Sequence, residues 1–195
     1  MTLYNSKKLL DTLENGVKET IKSATYLQSL NTATLGLCPA KGKWSVLQVV
    51  YHLNSYNEYY LPNIERAMLK GKKIAPEASF KPGLLGNYFA NMMLLGKDGK
   101  VTKAIKAPKD HAPAEGYKDI AALAEFIQGQ RHLLELINEA RGVNMTQTTV
   151  PISISKFIKI RLGDTFRFLI AHQQRHFVQI TNTLKAVGVE WAKAA

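Results

Sequence analysis

Apolar residues recur at three- and four-residue steps along four separate stretches of this chain, and that spacing restricts it to a mainly helical fold. In residues 6 to 30, Leu9, Leu10, Leu13, Val17, Ile21, Ala24 and Leu27 form one stripe, while Lys7, Lys8, Glu14, Lys18, Glu19 and Lys22 occupy much of the remaining surface. The second stretch opens at Trp44-Ser45-Val46-Leu47-Gln48-Val49. Ser45 with Gln48 fits a capping box, and Trp44 with Val49 fits a hydrophobic staple. It predicts a helix over about 46 to 69, with Pro62 as the place for a bend and Gly71 as the stop. The third covers 118 to 140, with Ile120, Leu123, Ala124, Ile127, Leu134 and Ile137 on one side. The fourth runs from about 162 to 187 and ends at Gly188. Asp164 lies in its first turn, where a carboxylate complements the helix dipole.

Four long helices joined by non-trivial connections predict an all-α four-helix bundle with at least one crossover, a single domain over 1–195. Gly36, Pro39 and Gly42 make 31 to 43 a linker. Residues 71–117 are broken by Pro76, Pro82, Gly83, Gly86, Gly96, Gly99, Pro108 and Pro113, and read as a long irregular insertion between helices two and three. A structureless loop of that length is uncommon in a compact domain, so the segment is expected to fold over the bundle as a lid. A short helix near 84 to 95 fits its pattern, and Lys100 to Ala107 reads as a small strand or extended arm. Residues 147 to 158 alternate weakly and read as extended.

The net charge of +11 raises nucleic acid, a membrane surface or an acidic partner as questions. Between Lys70 and Asp110 nine lysines face only Glu77, Asp98 and Asp110, so 9 − 3, or +6 of the +11, lies in that irregular stretch. No aromatic interleaving or arginine cluster accompanies Lys97, Lys100, Lys103 and Lys106, which argues against nucleic acid and for a solvated face. No stretch approaches the roughly 20 apolar residues that span a bilayer, and the first residues lack the apolar core of a signal peptide. The expectation is a soluble, cytoplasmic protein. The lone Cys38 excludes an internal disulfide and reads as a small buried residue.

His172 and His176 stand four residues apart on the fourth helix, on a face that otherwise runs Leu169, Ile180 and Leu184. Two imidazoles at that spacing lie about 6 Å apart and can share one ion. His52 sits mid-way along the second helix, on a face with Gln48 or Val49 on one side and Tyr56 on the other. Three inward histidines on two packed helices can converge on one point, leaving an open position of the catalytic kind. The competing reading is that each is an ordinary hydrogen-bonded core residue. His111, in a Pro-rich loop, and His132 read as surface or packing residues. Gln48, Tyr56, Gln173 and Gln179 are candidates to support the imidazoles, against simple packing or surface roles. No Asp or Glu shares these faces, and Glu58 falls on the wrong side of its helix.

The segment Lys43-Trp-Ser-Val-Leu-Gln-Val-Val-Tyr-His52-Leu53 resembles the second-helix motif of the DinB/YfiT-like metalloenzyme family. The segment His172-Gln-Gln-Arg-His176 with the apolar run to Gly188 is similar to that family's last helix. The resemblance implies a four-helix bundle with His52, His172 and His176 as ligands of a divalent metal, Zn, Ni or Fe. It further implies a small-molecule substrate and a transferase activating a low-molecular-weight thiol. The alternatives are a metal-dependent hydrolase and a non-catalytic metal-binding or sensing bundle. A homodimer is the expected assembly, since bundles with exposed apolar helix faces often pair.

Overall fold

A computed structural model describes residues 2–71 and 75–190. Lys72 and Lys73 of the basic insertion lie outside the described residues. The element order is β1 (Tyr4–Asn5), α1 (Ser6–Gln28), α2 (Thr32–Leu35), α3 (Val46–Gly71), β2 (Ser79–Phe80), α4 (Leu84–Met93), α5 (Ala121–Glu139), β3 (Thr149–Ile152), β4 (Ser155–Arg161) and α6 (Leu162–Ala186).

The four long helices sit where the apolar periodicity put them. Asn5 caps α1, its Oδ1 accepting from Lys8 N–H at 3.0 Å. The capping box of α3 is formed in both directions: Ser45 Oγ accepts from Gln48 N–H at 3.2 Å, and Gln48 Oε1 accepts from Ser45 N–H at 3.0 Å. Pro62 lies inside α3 without ending it. In the bundle α1 packs on α5 and α6, and α3 packs on the same two helices. α1 and α3 are therefore diagonal in space, as are α5 and α6, while α3 and α5 are neighbours.

Two small antiparallel sheets accompany the helices, an addition to the all-α expectation. β1 pairs with β2, tying the start of the chain to the insertion, and β3 pairs with β4 as a hairpin before α6. The 147–158 stretch thus contains the first strand and the start of the second. Lys100 to Ala107 forms an irregular arm and no strand.

The insertion is anchored chiefly by α4, which packs along α6. Asp164, fully buried at the start of α6, accepts from Gly83 N–H at 2.7 Å and from Arg167 at 2.8 Å. Its role is more than a dipole complement. Burial pushes its carboxyl up, while the Gly83 N–H and the Arg167 cation favour the ionised form. Gly86 makes this approach possible, because a Cβ there would come within 2.6 Å of Asp164.

The core divides into two apolar clusters. One gathers Val17, Tyr60, Leu133, Phe166 and Leu169; the other gathers Ala24, Val46, Leu53, Phe126 and Ile180. Each long helix places a buried polar residue at the boundary: Thr20 on α1, Asn57 on α3, Gln130 on α5 and Gln173 on α6. The histidines lie close by, His52 five residues before Asn57 on α3 and His172 directly before Gln173 on α6. A polar layer thus separates the two apolar clusters, with the histidines beside it.

Candidate metal centre

His52 comes from the middle of α3 and is 2% exposed; His172, from α6, is 4% exposed. His176, one turn further along α6, is half-buried and forms the outer edge. His52 Nε2 lies 3.2 Å from His172 Nε2, and His176 Nε2 lies 3.0 Å from the same atom. The three ligand atoms fall within 4.8 Å of one another. Among the described residues this is the group of histidine, cysteine or acidic side chains arranged to share one ion.

The hydrogen bonds assign the tautomers. His52 Nδ1 lies 2.7 Å from the carbonyl oxygen of His111, which can only accept, so Nδ1 carries the proton and Nε2 the lone pair. His176 Nδ1 lies 2.9 Å from Gln179 Oε1, with the same consequence. His172 Nε2 faces both lone pairs and can donate to only one of them. Its other nitrogen, Nδ1, is buried with no hydrogen-bond partner. Convergent lone pairs with too few protons between them suit a cation. The spacing suits one too, since a tetrahedral site with bonds of ~2.0–2.1 Å separates its nitrogens by about 3.3 Å. These residues fit a divalent metal.

Burial keeps the imidazoles neutral. It lowers His52 to about 4 and His176 to about 3, and pulls His172 well below its ordinary value with help from the two neighbouring rings. Neutral imidazole is the form that binds metal.

Aromatic rings wall the cluster. Trp44 packs against the same apolar cluster as Val49 and lays its ring 5.1 Å from His52. Tyr56 stands 4.4 Å from His172 and 4.1 Å from His111, and Phe168 stacks on His172 at 5.8 Å with planes 6° apart. The insertion closes over this wall through backbone carbonyls. The His111 carbonyl takes His52, Ala114 takes Gln48 Nε2 at 3.0 Å, and Lys103 takes the Arg175 guanidinium. Each anchor comes from a ligand or lies within one turn of one.

His111 is 6% exposed, not a surface residue, and its ring accepts or donates 3.0 Å from Ser55 Oγ. Its contribution to His52 comes from the backbone, for which no side-chain signal exists. Cys38 is exposed, not buried, with Sγ 3.6 Å from Gln48 Oε1. Of the four support candidates, Gln48, Tyr56 and Gln179 touch the cluster or its cover. Gln173 is buried with Oε1 unpartnered. His132 lines a groove between α3 and α5, with Glu58 on its rim. Arg175 and Phe168 went unread in the sequence, though Phe168 stands one turn before His172 and its place on that face was legible.

A sequence profile of the DinB superfamily matches residues 22–180, a span that contains all three histidines. The chain belongs to the DinB superfamily. Its fold is similar to that of YfiT from Bacillus subtilis, a probable metal-dependent hydrolase with an unusual four-helix bundle topology. The TM-score is 0.54 at 15% identity, over 95% of this chain and 89% of that one. No curated protein matches the sequence. Among the described residues no helix is long and apolar enough to cross a membrane.

Proposed function

We propose that this DinB-superfamily protein is a metal-dependent enzyme in which His52, His172 and His176 hold one divalent ion. The observation that carries the reading is the convergence of three Nε2 atoms, two of them with lone pairs fixed by His111 and Gln179. A cation held there supplies Lewis acidity, acidifying a thiol or a water placed beside it. The chain's own groups do the rest. The His111 carbonyl and Gln179 orient the ligands, Tyr56 and Phe168 exclude water, and the insertion covers the approach.

Among the described residues no carboxylate joins the triad. An attacking water would find no general base there, whereas a thiol, with an ordinary pKa of about 8.5, gives up its proton far more easily than water. A low-molecular-weight thiol acting as nucleophile in a transfer reaction is therefore the favoured chemistry. A hydrolase is the second reading, favoured by what is said of YfiT.

Elemental analysis of native protein beside His172→Ala tests the metal. About one equivalent in the native protein and none in the variant is expected. Less than about a tenth of an equivalent after addition of Zn or Ni removes the reading. Turnover of an electrophile with a small thiol, absent in His172→Ala, separates transferase from hydrolase.

A further inference from the structure

A cavity of about 190 Å³ lies beside the triad on the far side of two of its wall residues. Tyr56 and Phe168 line it and also pack against His172, with ring centroids 4.4 and 5.8 Å from that imidazole. The rest is almost wholly apolar: Tyr60, Phe89, Met92 and Ile160, from α3, α4 and β4. Pro108 also lines it, and three residues on, the His111 carbonyl holds His52. The insertion thus roofs cavity and triad in one stroke.

We propose that this cavity is a binding site for a small ligand, a single substituted aromatic ring bearing an anionic group. Size sets the first part, since a buried apolar space of about 150 Å³ accommodates benzene. The wall sets the second, because four aromatic rings favour offset or edge contacts with another ring. Charge sets the third. Lys106 is the one charged residue among those lining the cavity, and it is exposed, so an anion there keeps its water while a cation meets repulsion. Tyr60 and Ser153 make a polar spot on this wall: the Tyr60 hydroxyl accepts from Ser153 N–H at 3.2 Å and also meets the Ser153 side chain. The site stands on the cavity's own lining and does not depend on the metal-centre reading.

Phenylacetate, with phenethylamine as its cationic counterpart, is the probe, added to metal-free full-length protein and followed by calorimetry or ligand-observed NMR. A ligand of about ten heavy atoms is expected to bind with Kd near about 1 mM. Phenylacetate should bind about tenfold tighter than phenethylamine, and Lys106→Glu should erase that preference. Met92→Trp fills the cavity and should weaken phenylacetate at least about tenfold while Zn uptake by the triad stays unchanged. Ile154→Trp at the cavity's exposed hairpin edge gives a second blocking variant should Met92→Trp not fold. No binding at about 10 mM, or binding indifferent to both blocking variants, overturns the proposal. Zn uptake without phenylacetate binding sinks the cavity and spares the metal centre; phenylacetate binding without Zn uptake does the reverse.

Discussion

His52 Nε2 lies 3.2 Å from His172 Nε2, although 120 residues separate the two in the chain. Two neutral imidazoles at that distance need a proton or a cation between them, and His172 can offer its proton to only one neighbour. Zn should therefore raise the melting temperature of the native protein. At about 100 times Kd the gain is about 2.7 kcal/mol, or roughly 5–10 °C for a chain of this size. In His52→Ala or His176→Ala the shift should shrink to within error in a melt with and without Zn.

Acid should unfold the metal-free protein from its centre. His52 is held at about 4 when folded against an ordinary 6.5, so between those values the unfolded chain binds more protons than the folded one. The stability it contributes is complete above about pH 6.5 and is lost as pH falls through that window. His176, lowered to about 3, acts in the same direction over a wider range. From pH 6.5 to 5 the loss from His52 alone is about 2 kcal/mol. Melts of metal-free protein across that range check it, and His52→Gln should flatten the curve.

Arg175 links the base of the triad to the insertion by donating to the Lys103 carbonyl. Arg175→Met keeps the buried stem and removes the charged bond, worth about 1.5–3 kcal/mol. Amide exchange across residues 100–114 should quicken by about tenfold or more, with exchange in α3 and α6 unchanged. Exchange mass spectrometry reads this directly.

Gln130 is fully buried on α5 with neither end of its amide hydrogen-bonded. An unsatisfied buried polar group costs about 1–3 kcal/mol, and an apolar group of similar shape avoids that cost. Gln130→Leu should raise stability by about 1 kcal/mol in urea titration. A fall would show that the amide has water partners in the polar layer.

Asp164→Ala should destabilise the protein by about 1.5–3 kcal/mol, the worth of a hydrogen bond to a charged group, because the buried carboxylate is the shared acceptor of Arg167 and the Gly83 N–H. Because Asp164 ties α4 to α6, proteolysis should open first near 81–95.

Much of the bundle was legible because burial imposes a period. The stripe of Leu9, Leu13, Val17, Ala24 and Leu27 could face a core only as a helix, and Ser45 with Gln48 marked where α3 starts. The polar layer was harder to read, since Thr20, Asn57 and Gln130 look like breaks in a stripe until four helices align them. Within the insertion the short helix expected near 84 to 95 stands as α4 (Leu84–Met93), but the path of the chain beyond it was opaque. Its anchors are carbonyls of Lys103, His111 and Ala114, and any residue there has a carbonyl to offer.

By itself the sequence determined the four helices, the i, i+4 placement of His172 and His176, and the inward face of His52. Those features are local: they follow from periodicity, capping and side-chain direction within one helix. Only the tertiary structure decided that the three nitrogens meet, that His111 turns its carbonyl toward them, and that an apolar cavity opens behind Tyr56 and Phe168. Helix crossing and loop path are set by packing between residues far apart in the chain, and that information is shared among many side chains.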